Sequence, residues 1–254
     1  MNARLTAGVA TIALALAAQS AAAGDFTIES KVYNGSEMLG KSTTLFVAGK
    51  VYDLLSDPDE AIIFDLAAGR VVFVDNARKV RSETSAVQLE EFCERLRDRA
   101  RANGSSYLQF MAEPEFREEL DPETSELVLT SAFMDYRART TAPSDAAALG
   151  NYQAFVRLQA MVNTMMNPGT APPYARFKLN EALARRQVLP EEVSMRRKSI
   201  VPGFGKSLRA EHQFTWRMGD VDRKRIAEVD EKLGKYKHVA LADYLQPIAD
   251  EAGR

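Results

Sequence analysis

Hydrophobic and polar residues alternate with period two over several stretches of the chain and follow a helical period over others. Phe26–Tyr33 puts Phe26, Ile28 and Val32 on one side and ends at Asn34-Gly35, a pair that favours tight turns. Ser42–Leu55 and Ala61–Asp75 each hold a central Ala-Gly, at Ala48-Gly49 and Ala68-Gly69, between runs of β-branched and aromatic residues. Both read as hairpins turning on a two-residue loop, successive members of an antiparallel meander. Further strands are predicted over Leu127–Leu129, Phe133–Thr140 and Val193–Val201, the last turning at Pro202-Gly203 into Leu208–Met218. There the even positions are Leu208, Ala210, His212, Phe214, Trp216 and Met218, and the odd ones Arg209, Glu211, Gln213, Thr215 and Arg217. That regularity marks a strand with one apolar face.

The second hairpin is apolar on both faces. With a two-residue loop, Leu66 faces Val71 and Phe64 faces Phe73 on one side, while Ile63 faces Val74 and Asp65 faces Val72 on the other. A sheet with one wet face alternates more cleanly. Each buried Ile, Val or Phe is worth roughly 1.5–3 kcal/mol. Leaving four of them in water would forfeit a sum comparable with the stability of a whole domain, about 5–15 kcal/mol. Both faces are therefore expected to be covered, one by helices and the other by sheet folding over or by a ligand.

The helices are legible. Ser85-x-x-Gln88 is a capping box, followed by the stripe Leu89, Phe92, Cys93, Leu96, Ala100 and a stop at Asn103-Gly104. A second helix is predicted over Ala146–Asn167, with Phe155, Leu158, Val162 and Met165 on one face. A third follows Pro172-Pro173 and ends near Gln187, with Arg185 and Arg186 suiting the negative end of the helix dipole. A fourth covers Val221–Leu233 and stops at Gly234. The fold class expected is α+β: a curved antiparallel sheet, or half-barrel, of successive hairpins with about four helices packed on it.

The first residues read as a leader. Arg4 precedes an apolar run from Leu5 to Ala18, and Ala21 and Ala23 occupy the positions a signal peptidase reads. The run is about 14 residues, short of the roughly 20 that span a bilayer. The expectation is a signal peptide over residues 1–23, a single domain over 24–254, and export to the periplasm or cell envelope. One cysteine, Cys93, forms no internal disulfide and lies on a helix stripe, as a buried inert thiol would. A net charge of −2 with scattered basic residues gives no field for nucleic acid.

Chemical motifs are weak. "GFGKS" at Gly203–Ser207 looks like part of a phosphate loop, but Ile200 stands where the first glycine belongs and a strand follows, so no nucleotide is expected. Asp53, Asp57, Asp59, Glu60, Asp65 and Asp75 cluster in sequence without calcium-loop spacing. His212 and His238, the two histidines, form no metal-ligand pair, and no G-x-S-x-G occurs. No cofactor or metal is expected, and a non-enzymatic role is favoured, although two carboxylates converging in space would be invisible at this level. Met161, Met165 and Met166 share two turns of one helix, a composition that suits loosely specified apolar ligands as well as core filling.

A two-faced antiparallel sheet with helices against it, carried by "LFVAGKVYDLL", "FDLAAGRVVFVD" and "NARKVRSE", resembles the lipoprotein-carrier half-barrel superfamily (LolA-like). The same stretches are similar to those of uncharacterised exported bacterial proteins. The carriers open with a helix before the first strand, whereas here the chain opens with a strand after the leader. The resemblance implies an envelope protein binding a lipid, a lipoprotein or another apolar molecule in a sheet-lined cavity. The residues expected to line it are Phe64, Phe73, His212, Phe214 and Trp216 on strands and Met161 and Met165 on a helix. The other reading is a structural or protein-interaction module of the envelope, with a protein partner and no small-molecule ligand. An open apolar pocket favours the first and a filled interior the second.

Overall fold

The computed structural model describes residues 25–198 and 207–246, so the expected leader and the expected Pro202-Gly203 turn lie outside the described residues. The strands are β1 (Phe26–Asn34), β2 (Glu37–Val47), β3 (Lys50–Leu55), β4 (Glu60–Asp65), β5 (Arg70–Asp75), β6 (Val80–Ser85), β7 (Arg117–Leu120), β8 (Leu127–Thr130), β9 (Met134–Thr141), β10 (Leu189–Arg197), β11 (Ser207–Thr215) and β12 (Lys237–His238). The helices are α1 (Ala86–Arg101), α2 (Ser106–Ala112), α3 (Ala146–Met166), α4 (Tyr174–Arg185), α5 (Asp220–Lys235) and α6 (Leu241–Tyr244). The class is α+β, with six described helices rather than about four. The short α2 and α6 show too little periodicity to be read locally, and α5 runs through Gly234, expected as its stop, to Lys235.

All strands join one open sheet in the order β12-β6-β5-β4-β3-β2-β1-β11-β10-β9-β8-β7. Its ends do not pair with each other, which makes the architecture half-barrel-like. Neighbours are antiparallel except for the two-residue β12 beside β6. From β3 to β6 the chain keeps a strict count, six residues of strand and four of loop, with strands starting at Lys50, Glu60, Arg70 and Val80.

The two Ala-Gly pairs turn differently. At Ala48-Gly49 both residues have positive φ (47° and 77°), and Val47 pairs with Lys50, with Phe46 opposite Val51, as a two-residue loop requires. At Ala68-Gly69 only Gly69 does (59°), and the loop is four residues, Leu66 to Gly69. Phe64 therefore faces Val71 and Ile62 faces Phe73, which corrects the expected Phe64–Phe73 pair. The cause is Asp65, whose Oδ1 accepts a hydrogen bond from the Ala68 N–H at 3.0 Å. Asp75 caps the next loop in the same way at Arg78 N–H, 2.7 Å. Leu45, the corresponding residue of the first turn, has no acceptor to offer.

Both faces of β2–β5 are covered. The inner face, with Phe46, Val51, Ile62, Phe64, Val71 and Phe73, packs on Leu89 and Cys93 of α1, Phe155, Met161 and Val162 of α3 and Tyr244 of α6. The outer face, with Leu45, Tyr52, Ala61, Ile63, Val72 and Val74, packs on Ile226, Val229 and Leu233 of α5. A helix, and neither folded-over sheet nor ligand, is thus the second cover of this hairpin. The stripe on α5 is only three residues wide in a charged helix, so its partner could not be read from its own sequence. Past β1 the sheet continues to β8–β10, where Leu127, Leu129, Tyr136, Ala138 and Val193 pack under Leu179, Ala182 and Leu183 of α4.

Local signals held where they were local. Ser85 Oγ accepts from Gln88 N–H at 3.2 Å and Gln88 Oε1 accepts from Ser85 N–H at 2.9 Å, the expected capping box. The strand read as Leu208–Met218 ends at Thr215, and Met218 crosses to the outer-face cluster, away from the side that alternation assigns it. The strand expected to start at Val193 begins at Leu189.

Candidate functional site

The inner face changes character at β1. Around Phe26, Phe46 and Phe64 it is sealed, but Ser30 and Val32 on β1, Gly40 and Ser42 on β2, and Leu208, Ala210 and His212 on β11 are all half-buried. Cross-strand register puts these residues side by side: Ser42 opposite Ser30, Ser30 opposite His212, Val32 opposite both Gly40 and Ala210. The result is a strip of small, apolar and hydroxyl side chains that the helices leave partly open.

A polar seam leads from the sealed region to this strip. Asp53, 5% exposed, accepts from Thr44 Oγ1 at 2.8 Å and from Gln159 Nε2 of α3 at 3.3 Å. Burial pushes its carboxyl above the usual range, against the hydrogen bonds of Thr44, Gln159 and Ser42. At the other end Ser30 Oγ lies 2.9 Å from His212 Nδ1. Burial, and then the nearby charge of Arg176, hold the His212 imidazole down to about 4, so it is neutral at pH 7. Its Nε2 is sealed from solvent and has no hydrogen-bond partner among the described residues.

A second group of unmatched polar atoms centres on Arg176 of α4. Lys178 and Arg185 of the same helix pair with Glu181 and Glu118. Arg176 has no carboxylate within ion-pair distance among the described residues, and its Nε donates to Asn180 Oδ1 at 3.2 Å. Asn180 Nδ2 is buried and unpaired. The Arg176 charge bears on His212 of β11, Tyr136 of β9 and Tyr152 of α3. Burial pushes both tyrosines up to about 12, with Arg176 drawing each back.

The structure brings the residues named from sequence into one neighbourhood but gives them different surroundings. Phe64, Phe73, Met161 and Met165 are buried in the packed core of the inner face, against one another and the helices. Phe155 of α3 meets Phe46 and Phe64 edge-on at 5.3 Å and 5.1 Å between ring centroids. Phe214 is half-buried at the margin of that core. Trp216, 37% exposed, stacks on Phe214 at 5.3 Å and lies 5.4 Å from Phe26. His212 is the one named residue on the open strip.

Sequence reading missed Ser30, Asp53 as a buried group, Arg176 and Asn180. Asp53 did carry a signal: in Val51-x-Asp53-x-Leu55 it occupies an apolar-phase position. Arg176 carried none, because its isolation from acids is a property of three packed elements. Elsewhere a cleft of about 510 Å³ between α1 and α4 is lined by Glu94, Arg97, Tyr174 and Lys178. Its polar groups satisfy one another, as in Tyr174 Oη donating to Glu94 Oε1 at 2.7 Å and Arg97 lying over the Tyr174 ring at 4.4 Å. Among the described residues no group of acids, histidines or cysteines is arranged to hold a metal ion, and no helix is long and apolar enough to cross a membrane. No family model and no curated protein matches the chain.

Proposed function

We propose that this chain is an exported, non-enzymatic protein of the periplasm or cell envelope that binds a lipid, lipoprotein or other apolar molecule along the open strip of its inner sheet face. The observation that carries the reading is the contrast within one face. Aromatic rings seal it around Phe26, Phe46 and Phe64, whereas Val32 on β1 and Leu208 and Ala210 on the neighbouring β11 stay half-buried beside Ser30 and His212. Apolar floor with a few polar groups is the usual chemistry of a ligand site. The lipoprotein-carrier half-barrels supply the architectural analogue. The ligand-lining set narrows to His212, with Phe214 and Trp216 at the edge of the strip, joined by Ser30, Val32, Leu208 and Ala210.

Trp216, the one tryptophan, stacks on Phe214 at the edge of the strip and reports on it. Delipidated protein titrated with N-phenyl-1-naphthylamine should show saturable energy transfer from Trp216, and Trp216→Phe should fold while losing the signal. Absence of any saturable response at micromolar probe would overturn the reading. A second reading, an envelope interaction module without a small-molecule ligand, is favoured by the filling of the inner face by α3 and of the outer face by α5. Native mass spectrometry of protein taken from its own envelope separates the two: a bound lipid mass supports the first, a bare chain or a protein adduct the second.

A further inference from the structure

Three hydrogen-bond donors or charges around one place lack partners. Arg176 is a part-buried guanidinium with no carboxylate beside it among the described residues, although the other α4 cations are paired. Asn180 Nδ2, on the residue that Arg176 Nε already contacts, is buried and unpaired. His212 Nε2 on β11, within reach of the Arg176 charge, is buried and unpaired among the described residues, with Nδ1 already engaged by Ser30 Oγ. A buried polar atom without a partner is uncommon and costly, about 1–3 kcal/mol. Here such atoms come from two separate elements, α4 and β11, around a positive charge. What the place lacks is an acceptor, and a negatively charged one satisfies the guanidinium as well as the two neutral donors.

We infer that Arg176, Asn180 and His212 form the headgroup subsite of the strip, and that the ligand is an amphiphile whose anionic head, a carboxylate or phosphate, is held there while its tail runs over Val32, Ala210 and Leu208. This rests on the proposed binding function and specifies its ligand class. The neutral imidazole, donating through Nε2 while Nδ1 accepts from Ser30, completes the cradle without adding a second full charge. Arg176 supplies the charge, and the half-buried setting excludes enough water to make the contact stronger than it would be on the surface.

The test compares oleate with oleyl alcohol, which share a tail and differ in the charge of the head, by calorimetry on the delipidated protein and on Arg176→Gln and Arg176→Lys. The expected result is that oleate binds at least tenfold tighter than oleyl alcohol to the wild type. Arg176→Gln should erase that preference, and Arg176→Lys should restore part of it. Equal binding of the two amphiphiles would overturn the headgroup subsite while leaving the apolar-ligand reading intact. Binding of neither would overturn both. Acetate or inorganic phosphate binding as tightly as oleate would show a site for free small anions and overturn the amphiphile. Should Arg176→Gln fail to fold, the wild-type comparison and the lysine variant still decide.

Discussion

Phe155→Ala tests whether α3 really closes the inner face. Phe155 is 3% exposed and packs edge-to-face with both Phe46 and Phe64, at interplanar angles of 84° and 87°. Truncating a buried Phe to Ala costs about 3–5 kcal/mol through lost transfer energy and the cavity left behind. Each edge-to-face pair adds about 0.5–1.5 kcal/mol beyond area burial. The sheet beneath is held from the other side by α5, so collapse into the void is restricted and the loss belongs at the upper end, about 4–5 kcal/mol. For a chain of this size each kcal/mol moves Tm by about 2–4 °C, which puts the shift at about 8–20 °C. Urea unfolding followed by Trp216 emission and by circular dichroism measures the loss. A void lined by Phe46 and Phe64 would stay dry and accept a small apolar molecule, so benzene should stabilise the variant and not the wild type. A loss below about 1.5 kcal/mol would show that the face is not sealed by this ring, and the contrast between sealed and open regions would fall with it.

Three further outcomes follow from the same geometry. Ala48→Asn should stabilise the protein by about 0.5–1 kcal/mol, because a residue that tolerates positive φ replaces one that does not, while Ala68→Asn, at a position without positive φ, should gain nothing in the same urea assay. Asp53 binds its proton more tightly folded than unfolded, because burial raises its carboxyl. Its contribution to stability is therefore greatest at acid pH and declines as pH rises from the ordinary carboxylate range through the raised value. Asp53→Asn should flatten that slope and be the more stable form at pH 7; unfolding midpoints from pH 3 to 7 that run parallel for the two proteins would contradict this. Val229→Asp places a charge among Ile63, Val72 and Val74 and should cost about 3 kcal/mol or more while freeing α5, read as new proteolysis between Gly219 and Tyr236.

Trp216 and Asp65 show how far one chain position can be understood in isolation. Alternation assigned Trp216 to an inner face, and it does lie against Phe26 and Phe214 there. Its exposure comes from the strand ending one residue earlier, at Thr215, where pairing with β1 runs out at Thr27. Asp65, expected opposite Val72, pairs with Arg70 instead, because its side chain sets the loop length and shifts the register of the whole hairpin. A shift of two positions leaves every side chain on its expected face, so the two-faced character survived although the pairing did not.

By itself the sequence determined where the four longer helices and the central hairpin strands lie, where the capping box sits, that one hairpin hides both faces, and that Cys93 is buried on its helix stripe. These rest on periodicity and on residues within a few positions of each other, whose energetics do not need the rest of the chain. Only the tertiary structure decided that α5 is the outer cover, that Asp53 is buried with no cation beside it among the described residues, and that Asn180 Nδ2 and His212 Nε2 are sealed without partners. Those facts depend on contacts between residues far apart, such as Ser30 with His212 and Tyr52 with Asp230, separated by 182 and 178 positions. Whether a polar atom finds a partner is settled by everything packed around it, and no local pattern encodes that.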